Sequence, residues 1–165
     1  MRRVLVIGCG GAGKSTFSRA LGARLGLPVT HLDRLYWQPG WQPTDDATWR
    51  EIQGGLVAAE SWVLAGNYAG SMDIRLAVAD TAIFLDFPRW LCFTRAIRRT
   101  IASRRRDTQA PGCPDKMDRE FIRYIWNFRT VSRPRVLAAL AEHGKNTEQL
   151  ILRSPREAQE YLARL

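Results

Sequence analysis

A run of glycines that ends in lysine and serine lies near the start of the chain. It reads Gly8, Cys9, Gly10, Gly11, Ala12, Gly13, Lys14 and Ser15, and Thr16 follows. Glycines allow the backbone to turn its N–H groups inward, where a side chain would block an approaching anion. Lys14 adds a full positive charge between two phosphates, and Ser15 adds a hydroxyl that can bind Mg²⁺. The spacing G-x-x-x-x-G-K-[ST] therefore predicts that Gly8–Thr16 binds ATP and Mg²⁺, with Lys14 also catalytic.

Asp33 follows a predicted strand and is the residue best placed to act on a phosphoryl acceptor. Its carboxylate can accept a proton from a hydroxyl or hold a magnesium-bound water, so it is a predicted catalytic residue and, with Ser15, a predicted metal ligand. The alternative is that it only caps the following turn. Arg34 and Arg75 can clamp an anionic group, or pair with an acid such as Asp73. The predicted acceptor-binding residues are Asp33, Arg34, Trp37, Gly66, Asn67, Tyr68 and Arg75.

The segment after Asp33 is rich in aromatic residues. Tyr36, Trp37 and Trp41 can stack on a planar ring, since such contacts add roughly 0.5–1.5 kcal/mol beyond area burial. The same side chains can equally form a small core of their own segment. The sequence leaves both interpretations open.

The excess of positive charge is confined to one stretch. The net charge is +9 and the pI is about 10.3, yet residues 88–135 hold thirteen Lys and Arg against four acids, and the rest of the chain has twelve of each sign. We predict that Arg104, Arg105 and Arg106 are catalytic residues of a helical lid, with Arg119 and Arg123 on the next helix, which closes over the triphosphate. The alternative is a solvated helical face.

Apolar runs alternate with helical patterns along the chain. The predicted strands are 3–7, 28–32, 62–65, 81–87 and 149–152, and the predicted helices are 14–25, one capped by Thr44, one from Pro88, one through Met117 and Phe128, and 155–165. In the helix from Pro88, the predicted buried stripe is Trp90, Phe93, Ile97 and Ile101. Arg133-Pro134 either kinks its helix or starts a new one that ends at Gly144. This alternation predicts an α/β fold, a parallel sheet with helices on both faces and ligands at the carboxyl ends of the strands.

Composition limits the remaining classes. The chain of 165 residues suits one domain, 1–165. No apolar run approaches the roughly 20 residues that cross a bilayer, and no secretory signal is recognisable. Cys9, Cys92 and Cys113 have no metal-ligand spacing, so we expect reduced thiols and a cytoplasmic location.

Several longer motifs resemble a known family. They are His31-Leu-Asp33 with Trp37 and Pro39-Gly-Trp41, Trp62–Tyr68, Phe84–Arg89, and Gly112-Cys-Pro114 with Phe121, Trp126 and Arg133-Pro134. Together with Gly8–Ser15, which we call the phosphate loop, they resemble the bacterial adenylate-kinase-related proteins called DNA topology modulation proteins. More broadly, they resemble nucleoside-monophosphate and shikimate kinases. The resemblance implies a P-loop NTPase fold with a five-stranded parallel sheet. It also implies an acceptor-binding segment at about 33–75 and an arginine-rich lid at about 104–123.

The chain departs from that resemblance at Ala65. Relatives usually carry an acid just before Gly-Asn-Tyr. If that acid normally holds a magnesium-bound water, Asp33 or Asp86 must replace it, or turnover is weak. Asp86 also ends a strand, where its role can be purely structural.

Three functions follow from these patterns. The first is an ATP- and Mg²⁺-dependent phosphotransferase, adenylate-kinase-like, that acts on a small molecule, nucleoside or nucleotide. The second is an ATP-binding, nucleic-acid-associated regulator with little or no kinase activity, which the basic segment favours although no helix-turn-helix or RNA-binding motif is present. The third is a nucleotide-binding protein with negligible catalysis.

Overall fold

The computed structural model describes residues 1–103 and 110–165. In this part of the chain the strands are β1 (Arg3–Gly8), β2 (Val29–His31), β3 (Trp37–Gln38), β4 (Gln42–Pro43), β5 (Trp62–Ala65), β6 (Thr81–Leu85) and β7 (Glu148–Leu152). The helices are α1 (Lys14–Leu25), α2 (Asp33–Tyr36), α3 (Asp46–Val57), α4 (Met72–Leu76), α5 (Arg89–Ser103), α6 (Arg119–Asn127), α7 (Arg133–His143) and α8 (Pro155–Ala163). A 3₁₀ turn covers Ala69–Ser71, and a π-helical turn covers Phe128–Ser132.

Five strands form a parallel sheet in the order β2-β5-β1-β6-β7. The central strands β1, β5 and β6 are almost entirely buried, as expected for a parallel sheet that is flanked by helices. The chain leaves β1 toward one edge and later crosses to β6 on the other side of β1. That reversal opens a crevice at the carboxyl end of β1, where ligands bind in such sheets. The predicted α/β fold with a five-stranded parallel sheet is confirmed.

Two of the predicted helix boundaries are confirmed closely. α1 begins at Lys14 after Gly13 and ends before Gly26, and both glycines have positive φ. α7 begins at Arg133 directly after the π-helical turn and ends before Gly144. The backbone stays helical from α6 through this turn into α7, and the Arg133 N–H donates to the carbonyl oxygen of Phe128, five residues earlier. Of the two interpretations of Arg133-Pro134, an irregularity within one helix is therefore the correct one, since a π-helical turn accommodates the N–H that proline lacks.

The predicted cap of α3 is wrong by one residue. Asp45, not Thr44, is the N-cap, because its carboxylate accepts a hydrogen bond from the Thr48 N–H at 3.0 Å. The Thr44 hydroxyl instead donates to the carbonyl oxygen of Tyr36 at 2.6 Å. Thr44 therefore closes the hairpin of β3 and β4 rather than starting the helix.

The predicted buried stripe of α5 is wrong at both of its ends. Trp90 is 61% exposed and Ile101 is 72% exposed, whereas Phe93 and Ile97 are partly buried. The fully buried residues of the helix are Cys92, Ala96 and Ser103. The helical period is as predicted, but the face is different. α5 packs so closely on the phosphate loop that only small side chains fit between them. A hydrophobicity pattern favours large residues and so selects the wrong face.

The remaining expectations about composition concern membranes and cysteines. Within residues 1–103 and 110–165, no helix combines the length and apolar character that a bilayer crossing requires. Cys9, Cys92 and Cys113 are free and buried.

Asp80 fastens the start of β1 and generates a prediction about stability. Its Oδ2 accepts hydrogen bonds from the N–H groups of Arg2 at 2.6 Å and Arg3 at 2.9 Å, and its Oδ1 accepts one from the Thr81 hydroxyl. Burial acts to raise the pKa of Asp80, but these hydrogen bonds outweigh it and hold the pKa below its usual range. The stabilisation is thus present above about pH 4 and is lost as the pH falls through the lowered pKa.

We predict that Asp80→Asn lowers the free energy of unfolding at pH 7 by about 1 kcal/mol, because partly exposed charge-assisted bonds become weaker. This difference in the free energy of unfolding should shrink as the pH is lowered from 4 toward 2.5, because the wild-type carboxylate then takes up a proton and loses its charge. Urea denaturation across this range tests it, with Glu51→Gln, on an exposed helical position, as the matched control. A deficit that grows at low pH would contradict the assignment.

Candidate active site

The phosphate loop connects β1 to α1, and several of its glycines cannot be replaced by a residue with a side chain. Gly11 and Gly13 have φ values of 82° and 93°, the left-handed region that glycine adopts without strain. A Cβ on Gly11 would lie 2.0 Å from the carbonyl oxygen of Cys92 in α5. A Cβ on Gly10 would lie 3.0 Å from the ring of Phe121 in α6. The glycines are therefore required both for the shape of the loop and for the helices that pack on it.

Lys14 lies over this loop. Its ammonium donates to the carbonyl oxygens of Gly8 at 2.9 Å and Cys9 at 3.1 Å. Ser15 and Thr16 are exposed at the first turn of α1, whose N-terminus favours an anion. The predicted triphosphate and Mg²⁺ ligands thus share one end of α1, and this arrangement of a glycine cradle, a cation and a hydroxyl fits both groups.

Arg95 is a cation at the loop that the sequence analysis missed. Its Nη1 lies 3.4 Å from the carbonyl oxygen of Ala12, and its guanidinium lies 6.0 Å from the ring centroid of Phe87. Arg95 is one turn away from the buried Cys92 on α5. With the buried face of α5 assigned to Cys92 and Ala96, Arg95 would have been predicted to lie beside the loop.

Asn67 links the phosphate loop to α6. Its Oδ1 accepts a hydrogen bond from the Gly8 N–H at 2.9 Å, and its Nδ2 donates to the Tyr124 hydroxyl at 2.7 Å. The side chain was predicted to bind an acceptor. In the structure both ends of its amide are engaged within the protein, so it fixes the two walls of the crevice relative to each other.

Arg75 lies beneath the turn formed by Gly66, Asn67 and Tyr68. It is fully buried and donates to the carbonyl oxygens of Gly66 at 3.2 Å, Asn67 at 2.7 Å and Tyr68 at 2.9 Å. Burial lowers the pKa of Arg75 to about 10, which keeps it charged at neutral pH. A clamp on an acceptor would need an accessible guanidinium, and the alternative partner, Asp73, is paired with Arg50 at 2.7 Å. Arg75 is therefore a support of the turn.

Asp33 and Tyr68 are hydrogen-bonded across the crevice. The Tyr68 hydroxyl donates to Asp33 Oδ1 at 2.6 Å. Burial, followed by the charge of Asp33, raises the pKa of Tyr68, so the hydroxyl keeps its proton and holds the carboxylate in place. Tyr68 has a φ of 41°, an uncommon conformation for a residue with a side chain. Such strain is typical of functional sites, and here it directs the ring toward Asp33.

The aromatic residues after Asp33 pack on one another. The ring centroids of Tyr36, Trp49 and Tyr68 are 4.6–5.1 Å apart in every pair. Trp37 contacts Tyr36 at 4.9 Å and Trp41 at 5.5 Å. Of the two interpretations that the sequence left open, the structure favours the small core. Trp37 is partly exposed and Arg34 is exposed, so both remain accessible to an acceptor.

His31, at the end of β2, was not among the predicted site residues. Burial lowers the pKa of His31, and the charges of Arg19 and Arg34 lower it further, so the ring is neutral at pH 7. Its Nδ1 is buried and has no hydrogen-bond partner among the described residues. A lone histidine carries little signal in a sequence, which explains the omission.

Asp86 is committed to an ion pair. Arg133 Nε donates to both carboxylate oxygens, at 3.0 and 2.9 Å, and its Nη2 lies 2.9 Å from Oδ2. Of the two acids considered as a replacement at Ala65, only Asp33 keeps an oxygen, Oδ2, without a protein partner among the described residues. The parts of the chain that the structure describes contain no group of three or more His, Cys, Asp or Glu side chains that would form a metal site without a nucleotide.

A cavity of about 370 Å³ adjoins Asn67 and Tyr68. Residues 67–70 form one wall, and Tyr124, Ser132, Arg135 and Val136 form the other. A larger cavity of about 600 Å³ lies between Trp41, the end of α5 and residues 114–117. Its walls are mostly apolar and include no predicted site residue. The smaller cavity is therefore the better candidate for an acceptor.

The predicted lid falls partly outside the described residues. Arg104, Arg105 and Arg106 belong to the part of the chain that the structure does not describe. Arg119 and Arg123 are exposed on α6. α6 itself packs on the phosphate loop through Phe121. The lid remains a prediction.

We compared the chain with known protein families, sequences and solved structures, and only the solved structures match. No protein-family model and no curated protein sequence matches the chain. The solved structure of shikimate kinase from Acinetobacter baumannii in complex with shikimate matches with a TM-score of 0.68 and 16% identity, over 99% of this chain and 90% of that one. A gluconokinase from Sinorhizobium meliloti 1021 matches with a TM-score of 0.57 and 20% identity, over 99% and 92%. Shikimate kinase from Bacteroides thetaiotaomicron matches with a TM-score of 0.56 and 19% identity, over 99% and 95%.

The chain has a P-loop kinase fold. The likeness extends over almost the whole of each chain, which agrees with the sheet order and the position of the phosphate loop. At 16–20% identity it establishes the P-loop kinase fold alone.

The different positions of Arg75 and Arg34 generate a prediction. Arg75→Met leaves three backbone carbonyls without their donor, and we predict a loss of about 3 kcal/mol in the free energy of unfolding. Arg34→Met, on the exposed side of α2, should change it by less than about 0.5 kcal/mol. Urea denaturation measures both. If Arg75→Met leaves the free energy of unfolding unchanged, Arg75 is not the support of the turn.

Proposed function

We propose that the protein transfers the γ-phosphoryl group of ATP, with Mg²⁺, to a hydroxyl group of a small metabolite. One observation carries the proposal: a phosphate-binding loop and a carboxylate held by a tyrosine lie at the same edge of one sheet. Lys14 lies over the loop that follows β1. Asp33 follows β2, which is separated from β1 in the sheet by β5. A donor and an acceptor bound at these two places would meet in the crevice.

The donor side is proposed to work through charge and orientation. The N–H groups of the glycine loop and the ammonium of Lys14 would hold the triphosphate, and the Ser15 hydroxyl would bind the metal. Bound Mg²⁺ would neutralise part of the phosphate charge. Arg95 lies beside the loop, and the proposed lid arginines 104–106 would add positive charge as the γ-phosphoryl group leaves.

The acceptor side is proposed to work through Asp33 and the adjoining cavity. The bond between the γ-phosphorus and its bridging oxygen breaks and leaves ADP, while a bond to the acceptor oxygen forms. The proton of the acceptor hydroxyl passes to Asp33, which Tyr68 keeps oriented, and then to solvent. Arg135, which lines the cavity, and Arg34, which is exposed beside Asp33, can bind an anionic group on the acceptor. The matching folds of the two shikimate kinases and the gluconokinase support a small hydroxylated molecule as the acceptor.

ADP release across a panel of hydroxy acids, sugars, nucleosides and nucleoside monophosphates tests this function. We expect one class of hydroxylated compound to accelerate ADP release well above the ATPase background. A nucleoside monophosphate as the sole acceptor would favour the adenylate-kinase-like alternative. No stimulation by any compound would favour a nucleotide-binding protein without catalysis. Ala65 supports this alternative, because it replaces an acid that can hold a magnesium-bound water.

Asp33→Asn distinguishes the two kinds of acceptor. If the acceptor is an alcohol, we predict that kcat falls about 10²- to 10⁴-fold, because the amide cannot accept the proton. A phosphate acceptor is already ionised and needs no base, so its kcat would change little. Tyr68→Phe is the matched variant, since it frees the carboxylate without removing it. Its kcat should fall much less than that of Asp33→Asn, and the reverse order would contradict the role of Asp33.

A nucleic-acid-associated function remains the second candidate, as the resemblance to DNA topology modulation proteins suggests. The basic segment favours it, as do Trp90 and Trp126, which are exposed and in edge-to-face contact at 4.8 Å, with Arg89 over the Trp126 ring. Aromatic and basic side chains together can bind single-stranded nucleic acid. Binding that falls steeply with salt would indicate nonspecific contact with phosphates. Binding that resists salt and depends on sequence would rank this function above the kinase.

A further inference from the structure

His31 lies level with the base of the phosphate loop. The strand register sets its Cα beside that of Ala65 in β5, and Ala65 beside Val6 in β1. Residues in direct register project to the same face of a sheet. The imidazole therefore lies on the same face of the sheet as the side chains of Ala65 and Val6, and Val6 is two residues before Gly8. The side chain next to the imidazole is the methyl group of Ala65.

The imidazole has hydrogen-bonding capacity that the protein does not use. Nδ1 is buried without a partner, and among the described residues no hydrogen bond to Nε2 is formed. Nδ1 is sealed from solvent, so a molecule that enters the crevice can reach the ring only at Nε2, which is not sealed. With the proton of the neutral ring on Nδ1, Nε2 is an available acceptor at the edge of the crevice.

The surroundings of His31 indicate what this acceptor would bind. β2 ends at His31, and β1, two strands away in the same sheet, ends at Gly8, where the loop that carries Lys14 and Ser15 begins. The helix α1, which starts with Lys14 and Ser15, packs against β2. His31 therefore lies at the same edge of the sheet as the lysine and serine that we propose for the triphosphate and its metal, and two residues before the aspartate proposed for the acceptor.

We propose that His31 accepts a hydrogen bond from a water molecule of the Mg²⁺ that accompanies the triphosphate, and so positions the metal without ligating it. The inference rests on the proposed function. Mg²⁺ usually keeps several of its waters when it binds through a few protein and phosphate oxygens, and those waters need acceptors. At the neighbouring strand ends, Ala65 offers none and Asp86 is paired with Arg133. A neutral imidazole supplies an acceptor nitrogen without adding charge.

The test compares nucleotide binding with and without metal. The affinity for a non-hydrolysable ATP analogue is measured by calorimetry in EDTA and in Mg²⁺, and the ratio of the two affinities is the metal-dependent gain. We expect His31→Ala to reduce that gain about tenfold and to leave the affinity in EDTA unchanged. His31→Asn and His31→Gln, whose amide oxygens can accept in place of a ring nitrogen, should recover much of it. His143→Ala, at the end of α7, is the matched control, because His31 and His143 are the only histidines.

A second measurement uses the wild-type protein and does not depend on the folding of any variant. With ¹⁵N-labelled histidine, adding Mg²⁺ to the complex with the analogue should shift the His31 imidazole signals and leave those of His143 in place. A His31→Ala variant with the wild-type metal-dependent gain, or His31 signals that ignore Mg²⁺, would overturn the inference and leave the proposed function intact. A wild-type protein that binds the analogue in neither condition would contradict the proposed function, and this inference with it.

Discussion

A buried guanidinium under a backbone turn is the interaction on which the site depends. Arg75 holds three successive carbonyl oxygens, those of Gly66, Asn67 and Tyr68, and so fixes the turn after β5. Two side chains of that turn then form hydrogen bonds to opposite sides of the crevice. Asn67 binds the first residue of the phosphate loop, and Tyr68 binds Asp33. A charge that is costly to bury is retained here because it orders both sides of the crevice at once.

The distribution of ion pairs leaves positive charge near the phosphate loop. Arg133 and Arg50 are neutralised by Asp86 and Asp73. Lys14 and Arg95, by contrast, are held by carbonyl oxygens, and neither has a carboxylate partner among residues 1–103 and 110–165. An anion as strongly charged as a triphosphate is the natural complement to such a site.

The parts of the site that the sequence predicted are those with local causes. The phosphate loop and α1 follow from glycines, a lysine and a helical period within one short segment, and the alternation of strands and helices follows from hydrophobic patterning. The parts that were missed depend on tertiary contacts. Arg75 was predicted to face a ligand because arginine is rarely buried, and the small buried face of α5 was missed because its close approach to Gly11 is not visible in the sequence. Likewise, the amide of Asn67 suggested ligand binding, and only the fold shows that its partners are Gly8 and Tyr124.

The claim that the loop binds a triphosphate is tested most directly by the affinity of the protein for a non-hydrolysable ATP analogue with Mg²⁺. The account predicts saturable binding that Lys14→Met weakens about ten- to a hundredfold, because charge-assisted hydrogen bonds contribute roughly 1.5–3 kcal/mol. Lys145→Met, in the exposed turn after α7, should bind like the wild type. Equal affinity of Lys14→Met and the wild type would contradict the account.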